Sequence, residues 1–219
     1  DSAGWYILYG DNVPSGSFGD WRQGSAHTFR ADIGRSLTAA DEMMISQRTA
    51  DAKKAREEKL EKKHENAIDI AARIWEVAEP AGPEHPYLKR KGIQAHMARM
   101  GRDTRLIIPL FDESDTLTSV QYIDADGDKK NLSGGRVSGC YCPFGDLLSA
   151  SCIYVAEGFA TAATIAEITE TATVATFSAS NIAPVVGTLR KKYPTKQIVI
   201  VADHDNNPLK PGVFYDNPE

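Results

Sequence analysis

Two uninterrupted apolar runs dominate the C-terminal half of the chain. Residues 153–156 (Ile-Tyr-Val-Ala) end at Glu157-Gly158, and residues 198–202 (Ile-Val-Ile-Val-Ala) end at Asp203-His204-Asp205. Runs rich in β-branched residues and free of polar alternation predict buried strands of a parallel sheet. Between them lie a helical stretch, a strand candidate over residues 173–177 and a second helical stretch, giving the order βαβαβ. In open α/β sheets the chemistry gathers at the carboxyl ends of the strands. Both acidic groups fall there.

Upstream the pattern changes twice. Residues 1–35 read as β-rich, with a strand over residues 5–9 and turn chemistry in Gly10-Asp-Asn-Val-Pro-Ser-Gly16. Phe18, Trp21 and Phe29 suit either an aromatic core of a small sheet or an aromatic platform that stacks on unpaired bases. A helix then starts at Thr38 or Ser36, with acids in its first turn. It is expected to run to about residue 79 with at most one break. Residues 51–65 are nearly all charged and of mixed sign, which predicts a solvated face that projects or connects two parts. Ile68, Ala71, Trp75 and Ala78 return to helical spacing and should dock on a core.

Pro80-Ala-Gly-Pro83 ends that helix, and His85-Pro-Tyr-Leu-Lys-Arg-Lys-Gly-Ile93 reads as a short basic helix closed by Gly92. Residues 105–112 form a strand with Pro109 at an edge or bulge, paired to residues 117–123 through a turn at 113–115. Asp126-Gly127 marks another turn. The expected division is a β-rich module over 1–35, a helical connector over 36–83, a mostly antiparallel β subdomain over 84–150 and an α/β domain over 151–219.

Composition adds bounds. The 219 residues suffice for a real core, and a net charge of −5 leaves any nucleic-acid binding to local patches. No run is apolar enough to span a bilayer, the first residues do not form a signal peptide, and the three cysteines suit a reducing compartment. A cytoplasmic protein without a membrane partner is expected. The abrupt start and the Pro/Asn-rich end suggest a segment of a longer protein, truncated within its last domain.

Carboxylates gathered at adjacent strand ends raise each other's pKa, and a divalent cation relieves that repulsion. Oxygen-only ligands suit Mg²⁺, or Mn²⁺ in its place, completed by water and phosphate. Asp203-x-Asp205 places two carboxylates on one side of an extended chain, with Glu157 facing them. Helix capping is the plainer reading of Glu157 or Asp205. Gly158 fits a tight turn with close backbone approach. Ser178-Ala-Ser180-Asn181 offers either amides for a phosphate or ordinary caps. Cys140, Cys142 and Cys152 lack the fourth ligand and spacing of a zinc site.

Glu157-Gly158 after one apolar strand and Asp203-x-Asp205 after another resemble the Toprim domain of primases, topoisomerases and some nucleases. Arg105-Leu-Ile-Ile-Pro-Leu-Phe-Asp112 is similar to the "R-x-x-IIFPI-x-D" strand of bacterial DnaG-type primases, and Lys130-Asn-Leu-Ser-Gly-Gly135 to their "K-Y-L-N-S-P" segment. Residues 141–146 fall at "LYG" and Ser178-Ala-Ser-Asn181 at "GTALT". Glu157-Gly-Phe-Ala-Thr-Ala162 and Tyr87-Leu-Lys-Arg-Lys-Gly-Ile93 resemble the primases and primase–helicases of phages and conjugative plasmids. The resemblance spans about residues 85–205. Cellular relatives usually carry an acid four residues after the glutamate; here Thr161 stands there. No zinc module is present, and Asp216 is a weak substitute for a further acid.

The resemblance implies an α/β, Toprim-like βαβαβ sheet preceded by an antiparallel β subdomain and a long charged helix. It implies metal-dependent nucleotidyl transfer that makes short primers on single-stranded DNA in mobile-element replication. Glu157, Asp203 and Asp205 would hold Mg²⁺ or Mn²⁺, and Lys130 would be the catalytic-core lysine. Arg102, Arg105, Lys129, Arg136, Ser178 and Ser180 would contact nucleotide or DNA. Implied partners are a single-stranded template, nucleoside triphosphates and a replicative helicase in the same or another chain. The alternatives are a Toprim nuclease or topoisomerase-type enzyme, or an inactive DNA-binding or docking segment of a replication protein.

Overall fold

The computed structural model describes residues 4–10, 13–20 and 25–202. Asp203, His204, Asp205, Asp216 and Trp21 lie outside the described residues. Residues 1–59 and 60–219 form two compact units, divided inside one long helix.

In the first unit β1 (Gly4–Tyr9), β2 (Ser15–Asp20) and β3 (Ser25–Arg30) form an antiparallel sheet in that order. The register sets Tyr6 opposite Phe18, and Phe18 opposite His27. These rings do not close into a core. Tyr6 is 82% exposed, Phe18 48% and Phe29 46%. Strand alternation sends Tyr6 and Leu8 to one face and Tyr9 to the other, where the Arg48 guanidinium lies 4.5 Å from the Tyr9 ring centroid.

Helix α1 (Ala39–Val77) runs unbroken for 39 residues. Thr38 is its cap: Thr38 Oγ1 accepts from the Asp41 amide at 3.2 Å, and Asp41 Oδ2 accepts from the Thr38 amide at 2.9 Å. This is a capping box with aspartate in the acid's place. The Arg35 guanidinium, first, and Thr38 hold the Asp41 carboxyl well below its ordinary range. Thr38→Ala should cost about 1 kcal/mol of stability, read as a lower denaturant midpoint with unchanged slope. An unchanged midpoint would show that the cap contributes nothing. The charged middle carries exposed Lys53–Glu57 and Lys54–Glu58 pairs, each at 3.9 Å.

In the second unit the end of α1 buries Ala71, with Ile74 and Trp75 half-buried, against Ile107 and Val120. Those two belong to a five-stranded antiparallel sheet ordered β4 (Glu79–Pro80), β5 (Arg99–Met100), β6 (Leu106–Phe111), β7 (Leu117–Ile123) and β8 (Lys129–Asn131). Pro109 sits where its missing N–H costs nothing. β5 reaches only Leu106 and Ile107, and the next outward bond on that edge runs from the Phe111 amide to Tyr141. Helix α2 (Pro86–Lys91) ends at Gly92 with φ 65°. At its start His85 Nδ1 accepts from the Tyr87 amide, which leaves Nε2 to donate to Thr104 O at 3.0 Å.

The remaining elements build the α/β domain: β9 (Cys142–Phe144), β10 (Cys152–Ala156), α3 (Phe159–Thr169), β11 (Thr173–Ala175), α4 (Ala179–Lys192) and β12 (Gln197–Val201). The sheet order is β12-β10-β11-β9. β10 runs parallel to both β11 and β12, while β9 joins antiparallel, so the sheet is mixed. Phe159, Ala162 and Ala163 of α3 pack on Ala156, Ala175 and Cys142, and the same cluster takes in Leu106, Ile108 and Ile123 of the other sheet. Val185 and Leu189 of α4 pack on Ile153, Val155 and Val174. Opposite faces of the sheet are thus covered by α3 and α4. The sequence pattern predicts burial for β12 as for β10, yet β12 is half-buried and Ile200 is 52% exposed. The reason is position: β12 is the sheet edge among the described residues, and the helices pack on β9, β10 and β11. The three cysteines are free, and burial pushes the Cys140 and Cys142 thiols up. Among the described residues no helix is long and apolar enough to cross a membrane.

Candidate active site

The site grows from the end of β10. Ala156 is paired to Ala175 on one side and to Val201 on the other, so all three parallel strands end together. The chain leaves β10 as Glu157-Gly158 and enters α3 at Phe159. Glu157 O accepts from the Phe177 amide at 2.7 Å, which ties the turn after β10 to the turn after β11. The Glu157 side chain is exposed and, among the described residues, has no hydrogen-bond or ion-pair partner. It lines an open cleft of ≈ 310 Å³ with Thr161, Lys129, Asp126 and three residues of α2: Tyr87, Arg90 and Lys91.

Each cation reaches the cleft for a local reason. α2 is basic in its last turn, where a helix C-terminus favours positive charge. Arg90 Nη1 donates to Ala125 O at 2.8 Å, which anchors the helix to the turn before β8. Gly127, at φ 98°, lets that turn close against the Tyr87 ring. Tyr87 is 2% exposed, its hydroxyl has no hydrogen-bond partner among the described residues, and burial raises its pKa. Lys129 follows the turn. A β-carbon built on Gly158 would lie 3.5 Å from Lys129 Nζ and 3.8 Å from Thr161 Oγ1. With φ at −97°, Gly158 has a backbone open to any residue, and both neighbours lie at ordinary van der Waals distance from that β-carbon, so neither the turn nor the space demands a glycine.

The other expected residues fall in different places. Lys130 pairs with Tyr122, whereas Lys129 pairs with Ile123. Successive strand residues face opposite ways. Ile123 belongs to the cluster shared with α3, and Tyr122 packs on the face that meets α1, so Lys130 shares that second face. The structure therefore puts Lys129, and not Lys130, in the Glu157 cleft. Arg102 and Arg105 line a separate hollow of ≈ 270 Å³ with Ile74, Val77 and Tyr122. Arg105 Nε donates to Asp103 Oδ2 at 2.7 Å and holds that carboxyl below its ordinary range, and its guanidinium stacks 4.3 Å from the Tyr122 centroid. Arg136 pairs with Glu113 at 3.0 Å. Both guanidiniums thus have structural partners.

Ser178 starts α4 in extended conformation without a side-chain cap, and its Oγ lies 3.2 Å from that of Ser180. They flank Glu157 through Phe177, which holds φ 70°, a costly value for a phenylalanine. Asn181, whose place in the sequence suggests at most a cap, is instead buried. Its side chain joins Thr176 O, Cys140 O and the Gly139 amide. Its isolated position in a small polar run carries no sign of this. The α2 cations have a visible signal, the basic run closed by Gly92, but nothing in the sequence places that run opposite Glu157.

Asp203 and Asp205 lie just beyond Val201 in sequence and outside the described residues. Among the described residues no group of three His, Cys, Asp or Glu side chains comes together to hold a metal. The acids that follow the two apolar runs in the sequence offer carboxylate oxygens, donors suited to Mg²⁺.

Residues 152–213 match the model of the Toprim domain. The chain is also similar to two proteins of Escherichia coli, both called DNA primase TraC. One is 31% identical over 210 residues, covering 94% of this chain and 20% of that protein. The other is 30% identical over 211 residues, covering 93% of this chain and 14% of that protein. The chain thus spans a fifth or less of the length of these curated relatives. With helices on both faces of a βαβαβ sheet, a carboxylate at the end of its first strand and a match to the Toprim model over residues 152–213, the chain carries a Toprim domain and is similar along nearly its whole sequence to part of two DNA primases.

Proposed function

We propose that this segment is the catalytic core of a DNA primase, joining nucleotides into short primers on single-stranded DNA. The observation that supports it most is the meeting of an unpartnered carboxylate, Glu157, with Arg90, Lys91 and Lys129 around one cleft. A nucleotidyl transferase must hold a triphosphate and a template backbone and stabilise the charge that develops as pyrophosphate leaves. Arg90, Lys91 and Lys129 would bind the phosphates. Glu157, with Asp203 and Asp205 from the segment after β12, would hold Mg²⁺ or Mn²⁺. When bound, the metal supplies Lewis-acid stabilisation of the phosphoryl oxygens and helps activate the attacking 3′-hydroxyl. Ser178 and Ser180, in the turn that the Phe177 amide ties to Glu157 O, would donate hydrogen bonds to the nucleotide. Lys130, on the other face of β8, and Arg102 are left to contact DNA away from the cleft, as are Arg105 and Arg136 where their partners release them.

Incubation with a single-stranded template, labelled ribonucleotides and Mn²⁺ tests the reading directly. Primers of a few nucleotides are expected, and Asp203→Asn with Asp205→Asn should abolish them while leaving the melting temperature unchanged. Cleavage of the template without synthesis would place the protein with Toprim nucleases instead. If α2 grips phosphates, Arg90→Ala and Lys91→Ala should each reduce the slope of log affinity for single-stranded DNA against log salt by about 0.7. An unchanged slope in both variants would remove α2 from the binding surface.

A further inference from the structure

Rings cross one face of the sheet of β1, β2 and β3 in rows. Directly opposed residues of antiparallel strands share a face. The register sets Tyr6, Phe18 and His27 side by side, and Leu8, Gly16 and Phe29 in the next row. The Phe18 and His27 ring centroids are 5.4 Å apart, with the rings tilted by 31°. A β-carbon built on Gly16 would lie 2.6 Å from Phe29 Cε1, so the missing side chain is what lets that ring lie over β2. Tyr6, Leu8, Phe18 and Phe29 are all exposed. A contiguous patch of this kind marks a binding surface. Charge adds a second part. Arg30 follows Phe29 and points to the opposite face. There it lines a hollow of ≈ 540 Å³ with Arg48, Ser15, Thr28 and Thr49. Arg48 is held in place, its Nη2 donating to Ser15 Oγ at 2.8 Å. No acidic side chain is among the described residues that line this hollow. Gly16 and Phe29 line it too, so hollow and rings adjoin at one end of the sheet. Asp20, the acid on the ring face among the described residues, stands at the other end, opposite Gly4 and Ser25.

We infer that this sheet binds single-stranded nucleic acid, stacking unpaired bases on Tyr6, Phe18 and Phe29 and taking the adjoining phosphates at Arg30 and Arg48. The contact is additional to the Glu157 cleft and lies in the other compact unit. It rests on the primase reading only for the presence of a single-stranded template. Every base has a π-face, so open rings hold a strand without reading its sequence. A duplex hides those faces in its own stack and gains nothing from the rows. An apolar protein partner would also cover the rings, but it has no use for the arginines beside them. Guanidiniums and hydroxyls without an acid match the oxygens of a phosphate.

Fluorescence anisotropy of a labelled single strand of about 15 nucleotides tests this. The 219-residue chain is titrated in without nucleotides or divalent metal. An abasic strand of the same length keeps the phosphates and lacks the bases. Wild type should bind the normal strand at least about tenfold more tightly than the abasic one. Tyr6→Ala combined with Phe18→Ala should bring the two strands to within about twofold, with an unchanged circular dichroism spectrum. Tyr6→Phe keeps the ring and should keep the preference. Arg30→Ala should keep the preference too, and lower the slope of log affinity against log salt by about 0.7. An undiminished preference in the double variant would overturn the inference, as would no preference in wild type or an unchanged slope in Arg30→Ala. Sedimentation that shows a wild-type dimer and a monomeric double variant would overturn it as well, by making a second copy the occupant of the face. A wild type that makes no primers yet keeps the preference for bases would refute the primase reading and leave this contact standing.

Discussion

Replacing Glu157 by glutamine should abolish primer synthesis, by about 10²–10³-fold or more, and leave the fold untouched. Both halves follow from how the residue is held. Its backbone does the structural work: Ala156 closes the strand pairing, and Glu157 O takes the Phe177 amide. Its carboxylate is exposed and unpartnered among the described residues, so the isosteric amide disturbs no fold contact. Exposed substitutions of this kind move stability by no more than about 0.5 kcal/mol. The charge is another matter. Arg90, Lys91 and Lys129 line the same cleft, so a neutral amide leaves it more positive, and under the proposed function a metal would lose a hard anionic ligand there. A steady-state primer assay beside a thermal melt separates the effects. Synthesis within about tenfold of wild type would remove Glu157 from the machinery, and a loss that tracks a lowered melting temperature would make it structural.

Much of the fold was legible because local chemistry and tertiary packing agree. His85 and Gly92 bracket α2 as caps do, the hairpin of β6 and β7 carries its turn residues where expected, and the βαβαβ order follows from unbroken apolar runs. The site was legible only where a residue's role depends on its own element. Glu157 needed nothing beyond the end of a strand. The choice between Lys129 and Lys130 depends on pairing register, since one step along a strand reverses the face, and no property of two adjacent lysines reveals it. The distance from α2 to Glu157 depends on how two sheets share α3, a packing between residues far apart in sequence. The aromatic residues near the N-terminus illustrate the same limit from the other side. Their spacing fits a core and a platform equally, and the register of β1 with β2 and β3 sets Tyr6 beside Phe18 and Gly16 beside Phe29 while all three rings stay exposed.

The second large effect is expected at Asn181, a residue with no place in the chemistry. Its amide group spans three backbone positions: Nδ2 donates to Thr176 O at 2.7 Å and to Cys140 O at 3.0 Å, and Oδ1 accepts from the Gly139 amide at 2.8 Å. The residue is 4% exposed, so each of those partners loses its bond in a place where water replaces it poorly. Asn181→Ala should cost about 3 kcal/mol, or roughly 6–12 °C in melting temperature for a chain of this size. Primer synthesis should fall as well, because Thr176 precedes Phe177, whose amide holds Glu157 O, and the turn bearing Ser178 and Ser180 is fixed from that side. Asn181→Asp gives the sharper test. The introduced carboxylate can still accept from Gly139 but faces two carbonyl oxygens with no proton to offer, so its folded pKa should rise above the unfolded value of about 3.9. A carboxyl shifted that way contributes stability below the unfolded value and loses it as pH rises through the folded one. The deficit of Asn181→Asp should therefore be largest near neutrality and shrink as pH falls towards about 4, while the deficit of Asn181→Ala stays flat by comparison. Parallel pH profiles for the two variants would mean that the donated bonds are not what holds the turn.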